Sequence, residues 1–188
     1  MPMLTTERLR LVPIDLAMIE GVMRRDRAAA EAALDEALRA SGVHYDACAR
    51  FPDAWPNEEL VARAFPFSLE TIRTDPATRL WGDSLILPRE GPPRVIGSVV
   101  FKGRPADGIA EVAYGVEDES RCQGLATEAT RACVEWALTQ EGIVAVQATT
   151  FPWHYASLGV IRKVGMQPCG TRDHDVFGEL LIFEKRRS

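Results

Sequence analysis

The spacing of apolar residues changes from helical periods to alternation and back along this chain. After a short alternating stretch at 8–14, apolar positions recur every three or four residues from Leu16 to Met23. Asp15 precedes this run, and Asp26 precedes an alanine-rich run that reaches about Ala40. Each aspartate is therefore predicted to cap a helix.

A third helical pattern follows a loop at 43–56 that is rich in aromatic residues and proline. It starts at Asn57 and extends to Ile72. Pro66 lies inside it, and a proline there removes a helical hydrogen bond, so a kink or a break is predicted.

From residue 79 the apolar period changes to two. Three alternating runs, at 79–87, 94–102 and 109–116, are separated by turns that carry proline and glycine. They predict an antiparallel meander. Four further elements are predicted in this order: helix 126–140, strand 143–150, helix 156–164 ended by Gly165, and the strand pair 166–171 and 177–185.

The helix at 126–140 crosses between two strands, and such a crossover predicts that strands 109–116 and 143–150 are parallel. The predicted fold class is therefore α/β (α+β), with a mixed, mostly antiparallel central sheet of about seven strands flanked by helices. We expect one domain over 1–188, with an N-terminal helical elaboration at about 26–75.

Composition narrows the class of protein. The chain has 188 residues, 46% apolar and 26% charged, as is typical of globular proteins. Its net charge of −5 argues against nucleic acid as a partner, because phosphate backbones require a dense basic surface. No signal pattern or long apolar run is present, so we expect a cytoplasmic location and no membrane partner. The four cysteines form no C-x-x-C pair, which predicts reduced thiols and no metal site.

The turn from Arg121 to Ala129 carries the most chemical information. It joins a predicted strand to a predicted helix and contains Gly124, which permits a positive φ or a close backbone approach. The N–H groups of a helix start, together with the positive end of the helix dipole, favour phosphate or pyrophosphate. Arg121 adds a positive charge at the mouth. Many turns of this composition bind nothing, so the interpretation depends on its surroundings.

Those surroundings include a point where the sheet changes from antiparallel to parallel pairing. Neighbouring strands need not pair along their full length there. Strand 109–116 is therefore predicted to offer free backbone groups beside the anion turn, with Glu111, Ala113 and Gly115 on one face and Val112, Tyr114 and Val116 on the other.

Three segments in the right order resemble a known family. The run from Glu111 to Val116, followed by Arg121-x-x-Gly124-x-Ala126-Thr127-Glu128-Ala129, resembles motif A of the GCN5-related N-acetyltransferases (GNAT), whose consensus is Q/R-x-x-G-x-G/A. The segment from His154 to Met166 is similar to the family's N-x-A-S…V-L-E-K-x-G-F. The start, from Leu4 to Leu11, resembles the ribosomal-protein alanine acetyltransferase-like (RimJ/RimL-like) branch.

This resemblance implies a GNAT-like acyl-CoA N-acyltransferase fold and acetyl-coenzyme A as cosubstrate. The helix-start amides would hold the coenzyme pyrophosphate, and the free strand edge would pair with its pantetheine arm. The implied cofactor-binding residues are Tyr114, Gly115, Val116, Arg121, Cys122, Gln123, Gly124, Leu125, Ala126, Thr127, His154 and Ser157. A backbone N–H near Val116 would bind the developing oxyanion.

Two residues are candidates for proton transfer. Glu111 lies on the strand leading into the cofactor site and is the candidate general base, through a raised pKa. A solvent-facing strand carboxylate, or an ion pair with a neighbouring strand, is the alternative. Many family members protonate the leaving thiolate with a tyrosine where this chain has Ile161. Ser157 is the remaining hydroxyl of that segment and the candidate acid, and bonding to the backbone is its alternative. His154 replaces the family's asparagine.

Four aromatic residues have no assigned role: Trp55, Phe65, Trp81 and Trp153. Core packing is expected for each, and the lining of an acceptor pocket is the alternative.

The resulting expectation is an N-acetyltransferase that moves acetyl from acetyl-CoA to a primary amine by direct attack on the thioester. The amine is either a protein N-terminus or a small molecule, and a homodimer is possible. A non-catalytic acyl-CoA-binding sensor or scaffold of the same fold is the alternative.

Overall fold

The computed structural model describes residues 1–53, 65–74, 81–175 and 178–187. They fall into two compact units, Met1–Ser98 and Val99–Ser188. The predicted helix start at Asn57, and Trp55, lie outside the described residues. The prediction of a single domain stays a prediction.

The described residues of the first unit form three strands, three helices and the beginning of a fourth strand. In chain order these are β1 (Leu4–Thr5), β2 (Leu9–Pro13), α1 (Leu16–Met23), α2 (Arg27–Ala40), α3 (Phe65–Thr74), β3 (Asp83–Pro88) and β4 (Gly97–Phe101), which crosses into the second unit. Strand β2 pairs antiparallel with both β1 and β3.

The two predicted aspartate caps are confirmed. The Asp15 carboxylate accepts a hydrogen bond from the N–H of Met18 at 2.8 Å, and Asp26 accepts one from Ala29 at 3.0 Å. Helices α1 and α2 approach closely at Gly21, where a Cβ atom would lie 2.7 Å from the backbone nitrogen of Ala30. The core of this unit includes Val12, Met18, Leu34, Leu38, Leu85 and Leu87.

The second unit carries the segments that the sequence analysis singled out. It contains β5 (Ile109–Val116), α4 (Leu125–Thr139), β6 (Ala145–Thr150), α5 (Tyr155–Val164), β7 (Gln167–His174) and β8 (Gly178–Arg186). Their strand order is β5-β6-β8-β7. The predicted parallel pairing of β5 with β6 is confirmed, and β8 runs antiparallel to both β6 and β7.

The predicted fold class is confirmed as a mixed, mostly antiparallel sheet with flanking helices. The described residues form eight strands rather than about seven. The difference is β1, which is separated from β2 by a turn at Thr6. The Thr6 hydroxyl accepts from the N–H of Leu9 at 3.0 Å and thereby closes that turn.

Strands β5 and β6 pair over only part of their length. Ile109, Ala110 and Glu111 lie opposite 145–147, but β5 continues to Val116. Because the strands are parallel, α4 and α5 both follow carboxyl ends at the same edge of this sheet. The predicted parting of the two strands is thus present, on the side where α4 begins.

Alternation gives β5 and β6 two different faces. One face is buried and apolar, and it includes Ala110, Val112, Val146 and Ala148. Tyr114 shares the face of Ala110 and Val112, whereas Glu111 points to the opposite face.

Candidate functional site

The N-terminus of α4 has the backbone geometry of an anion site. Gly124 precedes the helix with φ 78°, and no side chain caps the first turn. Cys122 also has a positive φ, 60°. The N–H groups of a first helical turn have no partner within the helix, so those of Leu125, Ala126 and Thr127 are available to a ligand.

The side chains beside this turn are engaged locally. The Arg121 guanidinium forms an ion pair with the Asp118 carboxylate at 2.7 Å. The side-chain amide of Gln123 donates to the carbonyl oxygen of Glu119 at 2.9 Å. The Arg121 charge is therefore offset by Asp118 and is not the isolated positive charge expected at the mouth. A ligand phosphate would have to compete with an exposed carboxylate for it.

The strand edge predicted to meet the pantetheine arm lies where β5 has parted from β6. Tyr114, Gly115 and Val116 are beyond the last paired residue, Glu111. Gly115 is exposed, and the two residues beside it are partly buried. The backbone there is positioned to receive an added strand-like ligand.

Glu111 lies in a cluster of polar side chains on the opposite face of the sheet. Its Oε1 atom accepts hydrogen bonds from Lys102 Nζ at 2.6 Å and from the Thr149 hydroxyl at 2.9 Å. The Arg172 guanidinium lies 3.8 Å from the same oxygen. Lys102, which follows β4, Thr149 on β6 and Arg172 on β7 thus converge on one carboxylate oxygen.

The prediction of a raised pKa for Glu111 is wrong. Burial by itself raises the pKa of this carboxyl, but the hydrogen bond and charge of Lys102, the Thr149 hydroxyl and the Arg172 charge together outweigh it. The pKa of Glu111 lies below its usual value, so the carboxylate is ionised throughout the neutral range. It is ready to accept a proton but is a weaker base than expected.

Ser157 lies in the first turn of α5 and contacts β5. Its Oγ atom is 3.0 Å from the Tyr114 hydroxyl, and the Tyr114 hydroxyl donates to the Ser157 carbonyl oxygen at 3.1 Å. Burial raises the pKa of Tyr114, although the Ser157 hydrogen bond lowers it in part. The serine predicted as an acid is thus held by a phenol from the neighbouring strand.

The junction of β6 and α5 presents aromatic side chains to solvent. The Phe151 and Trp153 rings stack with centroids 4.7 Å apart, and His154, the residue before α5, lies beside them. Trp153 is 65% exposed, so the expectation of core packing is wrong for this residue. Its neighbours in the chain, Pro152 and His154, are also exposed, which places it on an outward turn.

The four cysteines differ in access. Cys48, Cys122 and Cys169 are exposed and Cys133 is buried, and all four are free thiols. Burial raises the pKa of Cys133 to about 12. Since the thiolate is the reactive form, Cys133 is expected to be inert in the folded protein.

Acetyl-CoA is expected to protect Cys122 from alkylation. A pyrophosphate bound at the start of α4 would cover this turn, whereas Cys48 lies in the loop after α2 and Cys169 lies on β7. N-ethylmaleimide labelling, followed by peptide mass spectrometry, should show at least ~10-fold slower modification of Cys122 with saturating acetyl-CoA. The other two exposed cysteines serve as internal controls, and equal protection of all three would indicate general stabilisation instead.

The sequence analysis raised an ion pair as an alternative for Glu111 but named none of its three partners, Lys102, Thr149 and Arg172. It also gave no role to the side chain of Tyr114. Only Thr149 had a readable signal. With Glu111 opposite Gln147 in a parallel register, the residue two further along β6 shares its face.

The described residues lack two further features. Within 1–53, 65–74, 81–175 and 178–187, no helix combines the length and apolar character needed to cross a membrane. The same residues contain no group of three or more His, Cys, Asp or Glu side chains placed to hold a metal ion.

The sequence matches the family described as "Acetyltransferase (GNAT) domain" over residues 8–167. It is 24% identical over 166 residues to the Uncharacterized N-acetyltransferase YjdG of Bacillus subtilis (strain 168), which spans 88% of this chain and 89% of that protein.

Solved structures share the fold at lower identity. The ribosomal-protein-S5-alanine acetyltransferase of Vibrio fischeri has a TM-score of 0.63 and 14% identity, over 99% of this chain and 97% of that one. RimL, a ribosomal L7/L12 alpha-N-protein acetyltransferase in complex with coenzyme A, has a TM-score of 0.62 and 12% identity, over 98% and 97%.

Proposed function

The chain belongs to the GNAT acetyltransferase family, and from that premise we propose that it transfers acetyl from acetyl-CoA to a primary amine. The observation that carries the proposal is the parting of β5 from β6 beside the uncapped start of α4. A strand edge and a helix N-terminus, side by side, suit the two chemically different parts of coenzyme A. Its pantetheine arm carries amides, and its nucleotide carries a pyrophosphate.

In the proposed complex the amides of Leu125, Ala126 and Thr127 hold the pyrophosphate, and the backbone of Tyr114 to Val116 pairs with the pantetheine arm. Arg121 to Gly124 form the wall of the phosphate site, and His154 and Ser157 approach from the start of α5. These assignments rest on the backbone geometry of the turn and on the family motif.

The reaction requires orientation, a neutral amine and a place for negative charge. An alkyl ammonium has a pKa near ~10, so it must lose a proton before it attacks the thioester carbonyl. Glu111, already ionised, accepts that proton through water. A backbone N–H near Val116 stabilises the oxyanion, and collapse of the tetrahedral intermediate releases the coenzyme thiolate.

The amine is either a protein N-terminus or a small molecule. RimL and the Vibrio fischeri protein are named as acetyltransferases of ribosomal proteins, which supports testing protein N-termini first. The cytoplasmic location and the homodimer stay predictions.

A non-catalytic acyl-CoA sensor is the second candidate. Two observations favour it: Ile161, at the position of the family's tyrosine, is a buried aliphatic residue, and the pKa of Glu111 is lowered rather than raised. Both features reduce the proton-transfer capacity expected of an efficient enzyme.

One experiment separates the two candidates. The protein is incubated with acetyl-CoA and a panel of peptides with free N-termini, polyamines and aminoglycosides, while released thiol is followed. An enzyme gives thiol release that depends on the acceptor and an acetylated product of matching mass. Tight acetyl-CoA binding in calorimetry, without release across the whole panel, would instead support the sensor.

A further inference from the structure

Two hydroxyl groups from different elements meet at the start of α5. The Tyr114 hydroxyl, on β5, lies 3.0 Å from Ser157 Oγ and 3.1 Å from the Ser157 carbonyl oxygen. A carbonyl oxygen can only accept, so the single phenolic proton points either to that oxygen or to Oγ. When it points to Oγ, the serine proton is free to be donated elsewhere.

Acidity decides which of the two hydroxyls can supply a proton to a thiolate. A thiol has a pKa near ~8.5 and a phenol near ~10, so transfer from an ordinary tyrosine is uphill by about 1.5 units. Burial of Tyr114 adds to this difference. The hydroxyl of serine is a far weaker acid than a phenol. Ser157 alone would therefore leave a high-energy alkoxide, whereas Ser157 backed by Tyr114 would not.

We propose that Tyr114 is the proton donor for the leaving coenzyme thiolate and that its proton travels through Ser157 Oγ. The inference rests on the proposed acetyl transfer and deepens it. As the C–S bond breaks, sulfur takes the bonding electron pair and receives the Ser157 proton. Ser157 receives the proton of Tyr114, and the resulting phenolate is reprotonated from bulk solvent, to which Glu111 passes on the proton that it took from the amine.

The arrangement accounts for the apolar residue at 161. Ile161 is 1% exposed on α5 and cannot donate a proton. The phenol reaches the same helix from β5 instead, at its first turn. The phenol that donates the proton would thus be supplied by β5, which borders the cofactor, rather than by α5.

A purely structural tie between β5 and α5 is the competing explanation for this contact. The pH dependence of turnover distinguishes the two. A proton donor must be protonated, so activity falls as the pH rises through its pKa. Because burial raises the pKa of Tyr114, that fall lies above the usual range of a phenol.

The first test is Tyr114→Phe, which keeps the ring and removes the hydroxyl. General acid catalysis contributes typically 10²-fold or more, so we expect a ~100-fold lower kcat, with a Kd for coenzyme A within ~3-fold of wild type. Ser157→Ala should cost a similar factor, and the double variant little more, because the two groups form one relay. Tyr155→Phe, an exposed neighbour, is the matched control and should be unaffected.

The second test replaces the Tyr114 phenol by 3-fluorotyrosine, which is more acidic and nearly the same size. The alkaline fall in kcat should move to lower pH, a shift that a structural tie would not produce. A Tyr114→Phe kcat within twofold of wild type, or an unmoved alkaline limb, overturns this proposal alone. Failure of the wild-type protein to release thiol with any amine overturns the acetyl transfer, and with it the relay.

Discussion

Gly124→Asp is expected to weaken coenzyme A binding by at least ~100-fold while leaving the fold intact. The residue has φ 78°, a left-handed conformation that aspartate tolerates better than most residues. Its carboxylate would stand at the amides of the first helical turn, and a negative charge there suits the helix dipole. The pyrophosphate would then meet a fixed like charge and lose two or more charge-assisted hydrogen bonds, each contributing about 1.5–3 kcal/mol.

The matched control is Gly165→Asp. Gly165 has φ 88° at the end of α5, and a Cβ atom built on it meets nothing within 4 Å. An aspartate at residue 165 therefore imposes the same kind of backbone strain as one at residue 124, in the same unit but away from the start of α4. Calorimetric titration with acetyl-CoA gives the Kd, and thermal melts of the unliganded variants report the fold. Equal loss of affinity in both variants would refute a pyrophosphate site at Gly124.

The fold was largely predictable because its determinants are local. The Asp15 and Asp26 caps depend on residues three positions apart, and alternation at 109–116 located β5 within the bounds that the structure shows. Strand ends were less well predicted. The run at 94–102 extends beyond β4 at both ends, and the run at 79–87 begins before β3, although its first two residues lie outside the described residues.

The backbone part of the site was also predictable, since Gly124 and the helix after it are adjacent in sequence. The environment of Glu111 was not. Lys102 lies 9 residues away along the chain and Thr149 lies 38, so pairing of three strands is needed to bring them together. A pKa depends on such neighbours, which is why a raised value was expected and a lowered one found.

The same limit applies to Tyr114. Alternation placed it correctly on the face opposite Glu111, but its contact with Ser157 spans 43 residues and depends on how α5 packs on the sheet. The sequence motif assigned a role to the Ser157 side chain, but it assigned Tyr114 only through its backbone. The contact between the two hydroxyls depends on tertiary packing, which the motif does not contain.

Glu111→Gln is expected to lower kcat by ~100-fold with little change in the Kd of acetyl-CoA. The amide keeps the size of the side chain and can still accept from the Thr149 hydroxyl, but it cannot take up a proton. Steady-state kinetics with an acceptor found in the amine panel, together with calorimetry, separates turnover from binding. A variant with wild-type kcat would show that the carboxylate only organises Lys102 and Arg172.

Lys102→Met distinguishes a base from a structural carboxylate by its effect on pH dependence. A general base must be ionised, so turnover falls as the pH drops through its pKa. In the wild type that pKa lies below the usual 4.5, so Glu111 contributes no acidic limb near neutral pH. Without Lys102 its hydrogen bond and its charge no longer lower the pKa of Glu111, so that pKa rises.

The acidic limb of kcat should therefore move to higher pH in Lys102→Met, and this movement should be absent when Glu111→Gln is added. Arg39→Met, which breaks an exposed ion pair with Glu36 on α2, is the control for loss of a surface cation. A limb that stays in place in Lys102→Met would mean that another group accepts the amine proton. A lowered pKa makes Glu111 a weaker base. Glu111 can therefore serve in catalysis only if the acceptor amine reaches the site already close to neutral, or if water carries the amine proton to the carboxylate.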